Sequence, residues 1–169
     1  MRERAAACFP GAGSGSRMVR AAIALGSNLG DREAALRDAA DQLARRMAGL
    51  TVSAFVSTQP EGVGEQPPFL NGAAVGGWAG EARALLELLM GIERAAGRER
   101  PFPGAARTLD LDLILFGSAI IDEPGLAVPH PRFRSRRFVL APLCQIAPNL
   151  VDPVTGLTVA ELYRSLGER

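Results

Sequence analysis

Alternation and helical spacing of apolar residues divide the chain into the order strand, helix, strand, strand, helix, strand. Val19 to Leu25 reads as a short buried strand, the first, and Gly26 stops it. Asp31 stands at a helix N-cap position before "REAALRDAADQLARRM", whose Ala and Leu recur at helical intervals. "LTVSAFVSTQP" alternates β-branched and aromatic residues and predicts a second strand ending before Pro60; "FLNGAAVGGW" predicts a third. Between them "EGVGEQPP" is too long for a tight hairpin turn. "EARALLELLMGIERAAG" is a second amphipathic helix, with Gly97 where a left-handed cap belongs, and "TLDLDLILFG" is the fourth strand. This is the split βαβ order of a ferredoxin-like α+β fold: an antiparallel sheet with helices packed on one face, leaving the other free for a site. Beyond Gly117 the pattern is irregular, with "VPHPRFRSR" as an exposed basic loop, "RFVLAPLCQIAP" as a helix, "LVDPVTG" as a short strand or turn and "TVAELYRSL" as a terminal helix.

Composition narrows the class. A chain of 169 residues that is 47% hydrophobic has the size and apolar content of one ordinary domain. Residues 1–17 are Gly-, Ala- and Ser-rich and are expected to be a disordered leader, with 18–169 forming the domain and Met18 an alternative start. No apolar stretch reaches membrane-spanning length and the leader lacks the continuous apolar centre of a secretion signal, so a cytoplasmic location is expected. Cys8 and Cys144 form no disulfide or metal-knuckle pattern. A net charge of +1 gives no bulk attraction to nucleic acid or membrane; the protein is expected to be a monomer. The chain has no lysine, so all its Lys and Arg positions, 19 of them, are arginine. That excludes a Walker-type phosphate loop and a Schiff-base lysine and leaves phosphate handling to guanidinium groups.

The unusual strand is "RTLDLDLILF". Side chains two apart point the same way, so Asp110 and Asp112 project together while Leu109, Leu111, Leu113 and Leu115 face the helices. Neighbouring carboxylates need a cation or a proton between them, and hard oxygen ligands favour magnesium, which leaves positions for substrate phosphates. The plain alternative is a solvent-exposed face paired with arginines. Arg98, Arg100 and Arg107 precede the pair, and Arg132, Arg134, Arg136 and Arg137 surround the single histidine, His130, a set suited to a magnesium-bound polyphosphate. Phe69 and Phe138 could clamp a flat heterocycle whose edge meets Asn71, or all three could simply be structural.

With "ALGSNLGD", "STQPEG...QPPFLNGA", "IERAAGRER", "RTLDLDLILFG" and "VPHPRF...RRFVLAPL" in this order, the chain from about Val19 to Leu166 resembles the hydroxymethyl-dihydropterin pyrophosphokinase family of folate biosynthesis. The resemblance implies transfer of pyrophosphate from ATP to the hydroxymethyl oxygen of a reduced pterin, releasing AMP. It places two magnesium ions on Asp110 and Asp112, pterin contacts on Thr58, Phe69, Asn71 and Phe138, and ATP contacts on Glu93, Arg98, Arg100, Arg107, His130 and Arg136. It implies catalytic roles for Arg98 and Arg107 beside the aspartates, and loops 61–68 and 98–107 that close over the substrates. Three positions depart from the family pattern: "GAAR" replaces a tryptophan and a glycine-proline pair, Met90 a glutamine, and Pro131 a tyrosine. An RNA-binding module would need aromatics where Asp110 and Asp112 stand, and a simple kinase would release ADP.

Overall fold

The computed structural model describes residues 17–60, 64–97 and 106–167. Its main sheet contains β1 (Val19–Ser27), β2 (Ala48–Val52), β3 (Val56–Thr58), β4 (Phe69–Trp78) and β5 (Asp110–Phe116), in the order β2-β4-β1-β5 with β3 also pairing β4. All pairings are antiparallel. Helices α1 (Arg32–Ala44) and α2 (Ala82–Ala95) supply the two crossovers. The central pair lies in the two predicted segments, but Gly26 does not stop the first: β1 runs on through it, paired on both sides, to Ser27. Both strands bury small residues, Ala21, Ala22, Ala73 and Ala74, that let helices approach the sheet from both sides.

Asp31 caps α1 by accepting the Ala34 N–H at 3.0 Å, and Gly97 takes φ 76° after α2. Leu36, Ala39 and Leu43 of α1 and Leu85, Leu89 and Ile92 of α2 pack with Ile23, Leu25 and Leu111 into one core. The expectation that the helices use one face holds for these two. Helices α3 (Arg137–Ile146) and α4 (Val159–Gly167) cover part of the opposite face, packing Val139, Leu140, Leu143 and Leu162 on Ala22, Ala73 and Val75. Their own apolar stripes need burial, and the helix-free face the strand order suggested shrinks to one end of the sheet.

Four local expectations change. The predicted second strand is two, β2 and β3, because Ser53 breaks the ladder: its Oγ accepts the Ala73 N–H at 2.9 Å and donates to the Ala54 carbonyl at 2.9 Å. On β5 the register passes from Ala22 opposite Leu115 to Ile23 opposite Leu113, so Ile114 is the extra residue of a bulge. Leu115 therefore joins Ile114 in the core under α3 and α4, while Leu109, Leu111 and Leu113 face α1 and α2. The irregular stretch after Gly117 contains a hairpin of β6 (Ile121–Glu123) and β7 (Leu126–Val128). Finally, the basic loop is only partly exposed: Pro129 is buried, and Phe133, in a one-turn 3-10 helix (Phe133–Ser135), is 0% accessible. Cys144 is a half-buried free thiol packed beside this second core. No helix among the described residues is long and apolar enough to cross a membrane.

Candidate active site

The uncovered end of the sheet is a cleft of about 350 Å³. Its floor is three strands in register, with Gly26 of β1 opposite Asn71 of β4 on one side and Asp110 of β5 on the other. One step along, Ala24 stands opposite Ala73 and Asp112. Directly opposed residues share a face, so the middle strand offers only Gly26 and Ala24 between an amide wall and a carboxylate wall about 10 Å away. A Cβ on Gly26 would lie 3.1 Å from Asn71 Oδ1, and the missing side chain keeps this trough open.

The amide wall is preset. Asn71 is buried and donates from Nδ2 to Thr58 Oγ1 at 2.6 Å, which fixes the amide plane. Phe69 and Phe138 both line the cleft, with the Arg136 guanidinium 5.5 Å from the Phe138 ring centroid. Thus Thr58, Phe69, Asn71 and Phe138 all line the same cleft.

On the carboxylate wall Asp110 and Asp112 project side by side into the cleft. Arg107 Nη1 donates to Asp110 Oδ2 at 2.5 Å. Asp112 Oδ2 lies 3.9 Å from His130 Nε2 and 4.0 Å from Arg136 Nη1, close enough for attraction but too far for a direct hydrogen bond. Burial pushes the Asp112 carboxyl above the usual carboxylate range, and the Asp110 charge pushes it further, against the pull of His130, Arg136 and Arg107. His130 is lowered, first by burial, with Asp112 opposing. The bulge helps to place it: the His130 N–H donates to the Ile114 carbonyl at 2.9 Å, while His130 Nδ1 accepts the Arg132 N–H at 3.1 Å. That leaves the neutral imidazole's proton on Nε2, facing Asp112.

Glu93 lies outside the cleft lining. It is 4% exposed on α2, and its Oε1 accepts the N–H of Leu111, the residue between the two aspartates, at 2.7 Å. A buried carboxylate thereby anchors the strand edge that presents the pair. Arg98 and Arg100 lie outside the described residues, as do residues 61–63 and 98–105 of the two expected closing loops.

Asn28 has a task that its place in the sequence did not reveal. It is 1% exposed and ties both loops to β1. Its N–H donates to the Arg107 carbonyl at 3.0 Å, its Oδ1 accepts the Arg107 N–H at 2.8 Å, and its Nδ2 donates to Gln66 Oε1 at 3.0 Å. The signal available in the sequence was an asparagine in the strand-to-helix connection "GSNLGD". Asn28→Ala should leave the Arg107 N–H short of its acceptor and cost about 1–3 kcal/mol of stability by urea titration; an unchanged midpoint would show that the bonds are dispensable. Arg132, one of the arginines grouped with His130 in the sequence, lines the cleft, and so do Gln59 and Pro60, whose sequence context signalled no role.

The donor set suits a hard divalent ion completed by substrate and water. Two carboxylates converge from one strand, and no cluster of three or more His, Cys, Asp or Glu among the described residues could form an all-protein cage.

A family model described as 7,8-dihydro-6-hydroxymethylpterin-pyrophosphokinase matches residues 22–148. The 2-amino-4-hydroxy-6-hydroxymethyldihydropteridine pyrophosphokinase of Bacillus subtilis is 43% identical over 137 residues, 79% of this chain and 81% of its own. The protein of that name in Methylorubrum extorquens is 39% identical over 152 residues, 88% and 94% of the two chains. The folic acid synthesis protein fol1 of Pneumocystis carinii is 35% identical over 85% of this chain, which spans 20% of fol1. A crystal structure of a Plasmodium falciparum HPPK-DHPS triple mutant superposes with a TM-score of 0.73 at 15% identity, over 92% of this chain and 45% of that one, a likeness of fold. With the family model spanning most of the described domain and the Bacillus subtilis and Methylorubrum extorquens relatives matched over 81% and 94% of their own lengths, the chain belongs to the 7,8-dihydro-6-hydroxymethylpterin-pyrophosphokinase family.

Proposed function

We infer that the protein transfers pyrophosphate from ATP to the hydroxymethyl group of 6-hydroxymethyl-7,8-dihydropterin and releases AMP, a step of folate biosynthesis. The observation that carries this reading is the pairing of two unlike walls across an empty-floored trough, a heterocycle-sized amide and aromatic wall facing two carboxylates. In it the pterin stacks between Phe69 and Phe138, and Asn71, held by Thr58, meets its polar edge. Its hydroxymethyl arm runs over Gly26 toward β5. Asp110 and Asp112 would hold two magnesium ions, which would supply charge neutralisation for the triphosphate and for the oxygens that attack and leave.

The chain's own residues do the rest. Arg107 and Arg136 flank the carboxylates, so they can take phosphate oxygens by bidentate forks, and His130 Nε2–H donates to a phosphate oxygen while remaining neutral. Arg98 and Arg100, which precede Arg107 in the sequence, are further ATP ligands in this reading. Glu93 acts through the Leu111 backbone, holding the aspartates at one spacing. Phosphoryl-type transfer needs mainly alignment and charge neutralisation, and this wall supplies both. The enzyme works on small molecules in the cytoplasm as a monomer.

Calorimetric titration tests the reading. Wild-type protein should bind the reduced pterin, and Phe138→Ala should weaken that binding by about 1–3 kcal/mol with magnesium-ATP affinity little changed. No pterin binding by the wild type would refute the acceptor. Equal loss of both ligands would remove Phe138 from the clamp.

A further inference from the structure

The basic segment after His130 reads as one cationic patch in sequence, but the fold divides its arginines into two sets. Arg132 and Arg136 line the cleft. Arg137 turns to the terminal helix, where Nη2 donates to Tyr163 Oη at 2.9 Å and the guanidinium lies 4.7 Å from the ring centroid. Arg134, between the two cleft arginines, also turns away from the cleft. Its Nε and Nη2 donate to Asp152 Oδ2 and Oδ1 at 2.6 and 2.9 Å.

Asp152 is 0% accessible and fully engaged. Beyond the guanidinium fork it accepts from Thr155 Oγ1 at 2.7 Å and from the Val154 N–H at 3.1 Å. Its own N–H donates to the Leu157 carbonyl at 2.9 Å, and its carbonyl accepts from the Gly156 N–H at 2.8 Å. The 152–157 turn is thus built around this carboxylate, and the Val151–Thr158 bridge closes it. On the other side of the fork, the backbone of Arg134 belongs to a continuous set of turns: Phe133 N–H to His130 carbonyl at 3.3 Å, Arg136 N–H to Phe133 carbonyl at 3.2 Å, and Val139 and Leu140 N–H to Arg136 carbonyl, each at 3.0 Å. Buried Phe133, with the Arg134 guanidinium 4.9 Å from its ring centroid, is the pivot. A bidentate fork fixes orientation as well as distance. Rotating Arg134 out of place would turn both flanking arginines with it.

We propose that Arg134 and Asp152 are positioning residues for the nucleotide, a strut from the C-terminal turn that holds the His130–Arg136 segment so that Arg132 and Arg136 face the triphosphate. This rests on the reading of the cleft given above. The test is equilibrium titration with magnesium and a non-hydrolysable ATP analogue, beside steady-state kinetics, for Asp152→Asn, Arg134→Ala, Arg134→Lys and the double variant Arg134→Ala/Asp152→Ala, all below their melting temperatures. Asp152→Asn and Arg134→Ala should each weaken analogue binding ~10-fold and raise KM for ATP similarly, with KM for the pterin little changed. Arg134→Lys should recover part of the loss, because it keeps the charge without the fork. The double variant should be no worse than Arg134→Ala, since both changes break one connection. Analogue affinity unchanged while the melting temperature falls would make the pair a simple clamp of the C-terminal turn and overturn the proposal. Parallel loss of nucleotide and pterin binding would overturn it as well. Because the analogue titration requires no turnover, it reads the strut even if the pterin proves to be the wrong acceptor.

Discussion

Asp110→Ala and Asp112→Ala should each lower pterin-dependent turnover roughly a thousandfold or more, since charge stabilisation by a bound divalent ion contributes several kcal/mol to such a transfer. The fold should survive, because both side chains face the cleft while the leucines between and beside them carry the packing. Stability should move in the opposite direction from activity. The Asp112 carboxyl is raised in the folded protein, above all by burial and then by Asp110. A carboxyl with a raised folded pKa favours folding below its unfolded value, and that contribution is lost as pH rises through the folded one. At neutral pH in the presence of a chelator, ionised Asp112 therefore opposes folding, and Asp112→Asn should melt above wild type. The gap should close on acidification, as wild-type Asp112 takes up its proton. Magnesium should raise the melting temperature of the wild type more than that of Asp112→Asn. Near-normal magnesium-dependent activity in either alanine variant would remove the aspartates from the metal site.

The second large effect is expected at Arg107. Its guanidinium rests on Asp110, and its backbone is held on both polar atoms by Asn28. Its chain position is thus fixed while the side chain can exchange a carboxylate partner for a phosphate one. An arginine recruited in this way contributes more to the transition state, where charge moves toward the leaving group, than to ground-state binding. Arg107→Ala should slow single-turnover transfer by about 10²–10³, with ATP affinity reduced far less. Arg107→Lys should restore a minor part, lacking the planar fork. Arg98→Ala offers the parallel case from the same loop. Losses confined to ATP affinity, with an unchanged rate for the bound complex, would make both of them ordinary binding residues.

The features that local pattern controls were legible. The segment "FLNGAAVGGW" marks β4 to the residue, Asp31 and Gly97 mark the ends of their helices, and Asp110 and Asp112 share a face because strand geometry requires it. What escaped depends on partners distant in the chain. The bulge at Ile114 is invisible in an unbroken apolar run, yet it sends Leu115 to the other core and offers the carbonyl that holds His130. Ser53 divides one predicted strand into two only because the amide of Ala73 lies beside it. Glu93 reads as a charged helix residue, and its bond to the Leu111 amide exists only after α2 docks along β5. Asp152 lies in a stretch that reads as a turn, and nothing local shows that Arg134, 18 residues away, will bury against it. The open end of the sheet was expected for the wrong extent, because α3 and α4 are amphipathic and claim the rest of that face.

The most direct test is phosphorus NMR of a reaction containing the purified protein, magnesium, ATP and 6-hydroxymethyl-7,8-dihydropterin. Pyrophosphoryl transfer across this cleft predicts that the ATP signals are replaced by the singlet of AMP and the paired doublets of a diphosphate ester on the pterin. The reaction should depend on the pterin and be lost in Asp112→Ala. Appearance of ADP with a pterin monophosphate, or of ADP and inorganic phosphate without the pterin, would contradict the account.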